Sequence, residues 1–118
     1  MEINRELDFT TNWNNKLNCE CFTTLRLYNP VKHCVGNRFD VRLNGNHKGF
    51  AKVIAVNPIR LDQINEFIAR LDTGYSAEEC REIIRKMYKS KTYINWNSQL
   101  IAFCLLKYDR GEREPKLF

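Results

Sequence analysis

The chain has 118 residues, 43% of them apolar and 28% charged, and its 19 Lys and Arg against 14 Asp and Glu give a net charge of +5. This length fits one domain with a core of its own, and the positive charge favours a polyanionic partner without identifying it. The longest apolar run, Leu100 to Leu106, has seven residues against the roughly 20 of a membrane helix, so no membrane partner is expected.

The start of the sequence is polar and mixed in charge, which predicts neither a secretion signal nor a transit peptide. The five cysteines are odd in number and irregularly spaced, a pattern typical of reduced thiols in a cytoplasmic protein. We therefore expect a single cytoplasmic domain over residues 1–108, followed by a charged, flexible tail over residues 109–118. A monomer is the favoured oligomeric state.

The N-terminal half predicts one short helix and three strands. Phe9, Trp13 and Leu17 recur at four-residue steps and predict a helix within residues 7–17. Residues 22–28 are rich in β-branched and aromatic types and predict a strand. Residues 38–43 alternate between apolar and polar, and Asn44-Gly45 then predicts a hairpin turn into a strand over residues 49–56 that Pro58 ends.

The C-terminal half predicts two helices and a last strand. Apolar residues at three- and four-residue steps predict a helix over residues 61–71 that Asp62 caps. Ser76 and Glu79 form a capping box at the start of the second helix. The apolar run from Leu100 to Tyr108 predicts a central strand covered on both faces. Short strands with segregated helices predict the α+β class.

Familiar catalytic and metal motifs are absent from the sequence. Cys19-Glu20-Cys21 has the wrong spacing for a zinc site, and the five glycines match neither a phosphate loop nor a dinucleotide fingerprint. No metal and no cofactor is therefore expected. Cys80 and Cys104 fall on faces expected to be buried, where a thiol packs as a small apolar group.

Basic residues accompany the first strands, and Asp40 is the only acid between residues 21 and 61. A basic sheet surface with aromatic residues is typical of single-stranded nucleic-acid binding. The alternative is that the basic residues are the solvent face of half-buried strands, and the alternation favours it because Phe39 points away from Arg38 and Arg42. The candidate nucleic-acid-binding residues of this surface are Arg26, Tyr28, Lys32, Arg38, Arg42 and Lys52.

Several features, in this order along the chain, resemble the activating-signal-cointegrator homology (ASCH) family, whose fold is similar to the PUA domain of RNA-modifying proteins. They are an aromatic segment at Phe9 and Trp13, a T-x-R element at Thr24-Leu25-Arg26, Val35-Gly36, the hairpin, the helical pair and the closing strand. The resemblance implies a small mixed β-barrel with two to three helices at one side. It also implies a cleft between barrel and helices that Arg26 and Thr24 enter.

The resemblance implies two functions. Family members look like RNA-binding modules, so RNA or a nucleotide-like ligand is the expected partner of a non-catalytic domain. A subset are amidohydrolases that remove the acetyl group from acetylcytidine with a lysine, a threonine and a carboxylate. By position the threonine falls on Thr24, the carboxylate on Asp72 or less closely on Glu66, and the lysine on Cys21.

Cys21 departs from the pattern of these enzymes, because a threonine hydroxyl needs a neighbouring base to become a nucleophile. Cys21 as a nucleophile, or Lys16 as a substitute for the lysine, stays open at this point. A structural alternative is also open, in which Arg26 pairs with Asp72 only to join the barrel to the helices.

Overall fold

A computed structural model describes residues 5–109 of the chain. Its strands are β1 (Glu6–Phe9), β2 (Cys21–Leu27), β3 (Arg38–Leu43), β4 (Asn46–Arg60) and β5 (Leu100–Tyr108). Its α-helices are α1 (Glu66–Asp72) and α2 (Ala77–Met87), and two 3₁₀ segments cover Trp13–Asn18 and Leu61–Gln63. The predicted tail lies outside the described residues from position 110 on.

One curled sheet holds all five strands in the order β1-β3-β4-β5-β2. β1 pairs with β3 in parallel, and the other neighbours are antiparallel, so the sheet is mixed. The α+β class and the mixed, barrel-like sheet are confirmed, although the barrel is a half-barrel. β1 and β2 form its two edges.

The predicted helix over residues 7–17 is wrong. Leu7 and Phe9 are buried while Glu6 and Asp8 are exposed, which is the two-residue period of a strand. The four-residue spacing of Phe9, Trp13 and Leu17 runs from the end of β1 into the 3₁₀ segment and is not the repeat of a single helix. Asn14 and Asn15 have φ of 56° and 52°, values that interrupt a regular helix.

The hairpin is confirmed, with Asn44 and Gly45 at φ of 52° and 81° between β3 and β4. Pro58 does not end β4, which continues to Arg60. Beyond Val53 the described partner of β4 is β5 alone, and a strand with one open side tolerates a residue without an N–H.

The first predicted helix divides into two elements. Ile64 is extended, and the 3₁₀ segment Leu61–Gln63 precedes it. Asn65, rather than Asp62, caps α1 by accepting a hydrogen bond from the Ile68 N–H at 2.9 Å. The capping box at Ser76 and Glu79 is confirmed at the start of α2.

The sheet carries a hydrophobic cluster on each face. β5 is an inner strand, as predicted, and its Ala102, Cys104 and Leu106 pack inside the curl with Phe22. On the opposite face Ile101 packs with residues of α1 and α2. The second cluster, which also contains Leu25 of β2, fixes both helices against the sheet.

Candidate functional site

A cleft of about 320 Å³ lies where β2 meets the two helices. The end of β1, the 3₁₀ segment Trp13–Asn18, α1 and α2 supply its other walls. The residues that line it are Asp8, Phe9, Thr10, Trp13, Lys16, Thr24, Leu25, Arg26, Asp72, Thr73, Cys80, Ile83, Ile84 and Met87. The structure thus brings the predicted Thr24, Arg26 and Asp72 into one cleft.

Lys16 forms an ion pair with Asp72 in this cleft, with Nζ 2.9 Å from Oδ1. The side chains are only 6% and 7% exposed. Thr23 also donates a hydrogen bond to the same carboxylate oxygen at 2.9 Å. Burial lowers the pKa of Lys16, while the Asp72 carboxylate opposes that shift. The two side chains therefore form a buried ion pair between the 3₁₀ segment Trp13–Asn18 and α1, and the bond from Thr23 connects β2 to the same carboxylate.

Arg26 occupies the space between the two edges of the sheet. Its Nε donates to Thr24 Oγ1 at 3.0 Å, and its Nη2 donates across to the Asp8 carbonyl of β1 at 2.7 Å. The guanidinium carbon lies 4.6 Å from the centre of the Phe9 ring, within the range of a cation–π contact. Burial lowers the pKa of Arg26, but an arginine remains charged at neutral pH.

In the structural alternative Arg26 was expected to pair with Asp72, but the ion pair of Asp72 is with Lys16. Lys16 takes the position beside Asp72, and Arg26 donates hydrogen bonds to Thr24 Oγ1 and to the Asp8 carbonyl. Sequence reasoning had left the place of Lys16 open. A useful signal was that Lys16 is the only lysine between β1 and β2 and directly precedes the apolar Leu17.

Cys21 lies apart from the cleft. It is exposed at the first position of β2, opposite Lys107 of β5. Residues three apart on a strand point to opposite faces, so Cys21 and Thr24 diverge. Glu66 is also separate, because its carboxylate accepts the Ala77 N–H at 2.6 Å, a bond that lowers its pKa.

The predicted basic residues of β3 and β4 form a separate surface. Arg38 and Lys52 are register partners, and the Arg38 guanidinium lies 4.2 Å from the centre of the exposed Phe50 ring. Arg42 is held by Asp40 at 2.9 Å, a hydrogen bond that raises the pKa of Arg42. None of these residues lines the cleft. The charge of this basic surface is in part neutralised by acids, since Asp40 pairs with Arg42.

Tyr28 and Lys32 belong to the turns after β2. The Tyr28 ring stacks on His33 with centroids 6.2 Å apart, and burial lowers the pKa of His33. Lys32 is exposed, and its backbone N–H donates to the Asn29 side chain at 3.2 Å. These two residues are outside the cleft lining as well.

Within residues 5–109, no group of three or more His, Cys, Asp or Glu side chains is placed to hold a metal ion. The same part of the chain has no helix long and apolar enough to cross a membrane.

Two solved structures are similar to this fold. The ASCH domain from Lactobacillus crispatus JV V101 superposes with a TM-score of 0.58 at 14% identity, over 80% of this chain and 68% of that chain. A DUF984 protein from Enterococcus faecalis V583 superposes with a TM-score of 0.64 at 7% identity, over 98% of this chain and 88% of that chain. No family model and no curated protein matches the sequence.

The curled mixed sheet with helices at one side defines a class of small α+β domains. Within that class, the likeness to the solved structures shows that this chain has the ASCH-type fold. The expected resemblance is confirmed at the level of the fold.

Proposed function

We propose that the cleft binds one nucleotide of an RNA strand and that this binding is the function of the domain. The observation that carries the proposal is the lining of the cleft, in which the Arg26 guanidinium stands beside an aromatic and apolar wall while Asp72 offsets the charge of Lys16. Such a combination suits a ligand with a flat apolar ring and an anionic or strongly polar part. A nucleotide has both parts.

The size of the cleft supports a small ligand. Binding pockets range over roughly 300–1,000 Å³, so the volume of this one, about 320 Å³, fits a single nucleoside better than a larger molecule. Trp13 is half-buried in the wall, and its ring meets Tyr75 edge-on at 5.7 Å. Stacking of a base on such an aromatic ring contributes about 1–3 kcal/mol.

Arg26 supplies the polar recognition. A guanidinium has five N–H donors, and the bonds to Thr24 and Asp8 use two of them. The remaining donors serve a base carbonyl or a phosphate oxygen at the cleft. Because the existing bonds already hold the group in place, binding needs little additional ordering of this side chain.

The test is the binding of a fluorescently labelled single-stranded RNA oligomer, followed by anisotropy at several salt concentrations. Affinity should fall as salt rises, and Arg26→Lys should weaken it about tenfold because an ammonium cannot reproduce the planar fork. Arg70→Gln is the matched control, since Arg70 pairs with Glu66 on α1 and does not line the cleft. Affinity that is insensitive both to salt and to Arg26→Ala would overturn the proposal.

A second function, amide hydrolysis on an acetylated cytidine-type nucleoside, is favoured by one different observation. Lys16 lines the same cleft as Thr24 and Asp72, so an amine, a hydroxyl and a carboxylate are available together although Cys21 is outside. In this scheme the Lys16 ammonium first loses a proton to water, a loss that burial favours by lowering its pKa. The neutral amine then accepts the Thr24 proton as the hydroxyl oxygen attacks the amide carbonyl. Arg26 stabilises the negative charge that develops, and Lys16 returns the proton to the leaving amine. Water then releases the acyl group from Thr24.

The hydrolytic scheme is tested by incubating the purified protein with acetylcytidine and separating the products. Thr24→Val should abolish product formation, whereas Thr24→Ser should retain part of it because the hydroxyl remains. Absence of product at high protein concentration, or product that Thr24→Val leaves unchanged, would overturn this scheme without affecting the binding proposal.

A further inference from the structure

A second hollow lies on the other side of α2 from the cleft. It has a volume of about 290 Å³ and is lined by Leu61, Asp62, Arg81, Arg85, Trp96 and Asn97. Ile83, Ile84 and Met87 of the same helix line the cleft. The helix α2 therefore separates two concave sites, and a helix with its side chains is about 10–12 Å across.

Two guanidinium groups converge on this second hollow. Arg81 and Arg85 are four residues apart, so they lie on the same face of α2. Arg81 is half-buried, and its Nη1 donates to the Ile64 carbonyl at 2.7 Å, which fixes its direction. Arg85 is more exposed and pairs with Glu82. Two arginine forks at one hollow are suited to the oxygens of a phosphate group.

An aromatic ring stands beside these arginines. Trp96 is half-buried against the second hydrophobic cluster, with its ring 6.5 Å from that of Tyr88. This contact holds the indole in a fixed orientation while it remains part of the hollow. Asp62 is the acid in the lining of the hollow. Its Oδ1 lies 3.2 Å from Nε of Arg60, so Arg60 offsets its charge.

The segment that forms this side of the hollow is also basic. Residues 81–99 contain five Lys and Arg against the single acid Glu82. A helix dipole favours cations in the last turn, but Arg81 lies before the middle of α2, where the dipole does not account for it. Lys91 and the 75%-exposed Tyr93 extend this basic and aromatic character past the helix.

We propose that the second hollow binds the backbone phosphate of a single-stranded RNA, with Arg81 and Arg85 on the phosphate and Trp96 stacked on the adjoining base. This inference rests on the proposed function and deepens it, because a strand that occupies both hollows must pass around α2. The partner is then an RNA chain of several nucleotides rather than a free nucleoside. The affinity for such a strand would come from phosphate contacts, which weaken as salt rises, and from base stacking, which depends little on the sequence of the RNA.

The experiment compares two ligands on the same variants. Anisotropy of a labelled single-stranded RNA octamer and calorimetry of a nucleoside, which carries no phosphate, are measured for the unaltered protein, Arg85→Gln and Arg70→Gln. Arg85→Gln should weaken octamer binding about fivefold to tenfold and reduce the slope of log K against log salt by about 0.7. The nucleoside lacks the phosphate that Arg85 would contact and should bind Arg85→Gln unchanged, and Arg70→Gln should match the unaltered protein for both ligands.

Trp96→Leu provides a second variant that keeps an apolar side chain against the cluster. Trp96→Leu should weaken octamer binding by a similar factor. As a check on folding, the urea unfolding midpoint of Arg85→Gln should equal that of the unaltered protein. If Arg85→Gln and Arg70→Gln weaken octamer binding equally, the effect is general electrostatics and the inference is overturned. If Arg85→Gln weakens binding of inorganic phosphate but not of the octamer, the hollow takes a free anion and the RNA assignment is overturned.

The two proposals fail in different ways. Octamer binding that depends on Arg85 but not on Arg26 would support the second hollow and contradict the cleft as a nucleotide site. Octamer binding that depends on Arg26 but not on Arg85 would leave the cleft proposal intact and overturn the second hollow.

Discussion

The Nζ of Lys16 lies 2.9 Å from Oδ1 of Asp72 inside the cleft wall, although 56 residues separate the two in sequence. The bond connects the 3₁₀ segment after β1 to the last residue of α1. Thr23 of β2 donates to the same oxygen, so one carboxylate joins three separate parts of the chain. The Asp72 carboxylate therefore lines the cleft and also holds together the segments that form it.

Lys16→Met should destabilise the protein by about 3–5 kcal/mol, because it leaves the Asp72 charge buried without its partner. The double variant Lys16→Met/Asp72→Leu should recover most of this loss, since no uncompensated charge remains. Urea unfolding measures both. Arg70→Gln, which breaks an exposed pair with Glu66, should cost no more than about 1 kcal/mol. A double variant as unstable as Lys16→Met would contradict the electrostatic explanation.

Arg26→Met should loosen the contact between the two edges of the sheet. It removes the charged hydrogen bond from Arg26 to the Asp8 carbonyl, a type of bond that contributes about 1.5–3 kcal/mol. Hydrogen exchange should become faster in peptides that cover β1, while the amides around the hairpin at Asn44 keep their protection. Unchanged exchange in β1 would mean that the Phe9–Phe22 ring contact is sufficient to hold this edge.

The five thiols should divide into two groups in a reaction with a disulfide reagent at pH 8. Cys19, Cys21 and Cys34 are exposed and should react rapidly in the native protein. Cys80 and Cys104 are buried, and burial raises the pKa of each to about 11, so both stay protonated and inaccessible. Absorbance of the released thiolate should show three equivalents at once and two more in denaturant. Five rapid equivalents without denaturant would contradict the packing of the two buried thiols.

Ser76→Ala should destabilise the protein by about 1 kcal/mol through the loss of the α2 cap. The Ser76 hydroxyl oxygen accepts the Glu79 N–H at 3.2 Å, and the Glu79 carboxylate accepts in return from the Ser76 N–H. Thermal unfolding measures the effect. Ser90→Ala, on an exposed turn after the helix, is the control and should leave the midpoint unchanged. Equal midpoints for the two variants would show that the cap adds no stability.

Local patterns were enough to predict the elements whose signals lie close together in the chain. The alternation in β3, the Asn44-Gly45 turn, the capping box at Ser76 and the apolar run of β5 each depend on a few consecutive residues. Errors arose where two elements shared one periodicity. Phe9 and Trp13 belong to a strand and a 3₁₀ segment, and their spacing is helical only by coincidence.

The candidate site was predictable only in part. Thr24, Arg26 and Asp72 line one cleft, which fits the placement that the family resemblance implied. Lys16 could not be placed from sequence, because its position depends on the left-handed backbone at Asn14 and Asn15. The second hollow was missed entirely, because Arg81 and Arg85 of α2 come together with Leu61 and Trp96 only in the folded chain.

By itself, the sequence determined the α+β class, most strand and helix identities, and the excess of positive charge, because these follow from composition and short-range periodicity. Only the tertiary structure decided which charges meet. The curl of the sheet brings Arg26 to the Asp8 carbonyl of the opposite edge, and the packing of α1 brings Asp72 to Lys16. Such contacts depend on how distant segments fold against a common core, and no local pattern of residues encodes them.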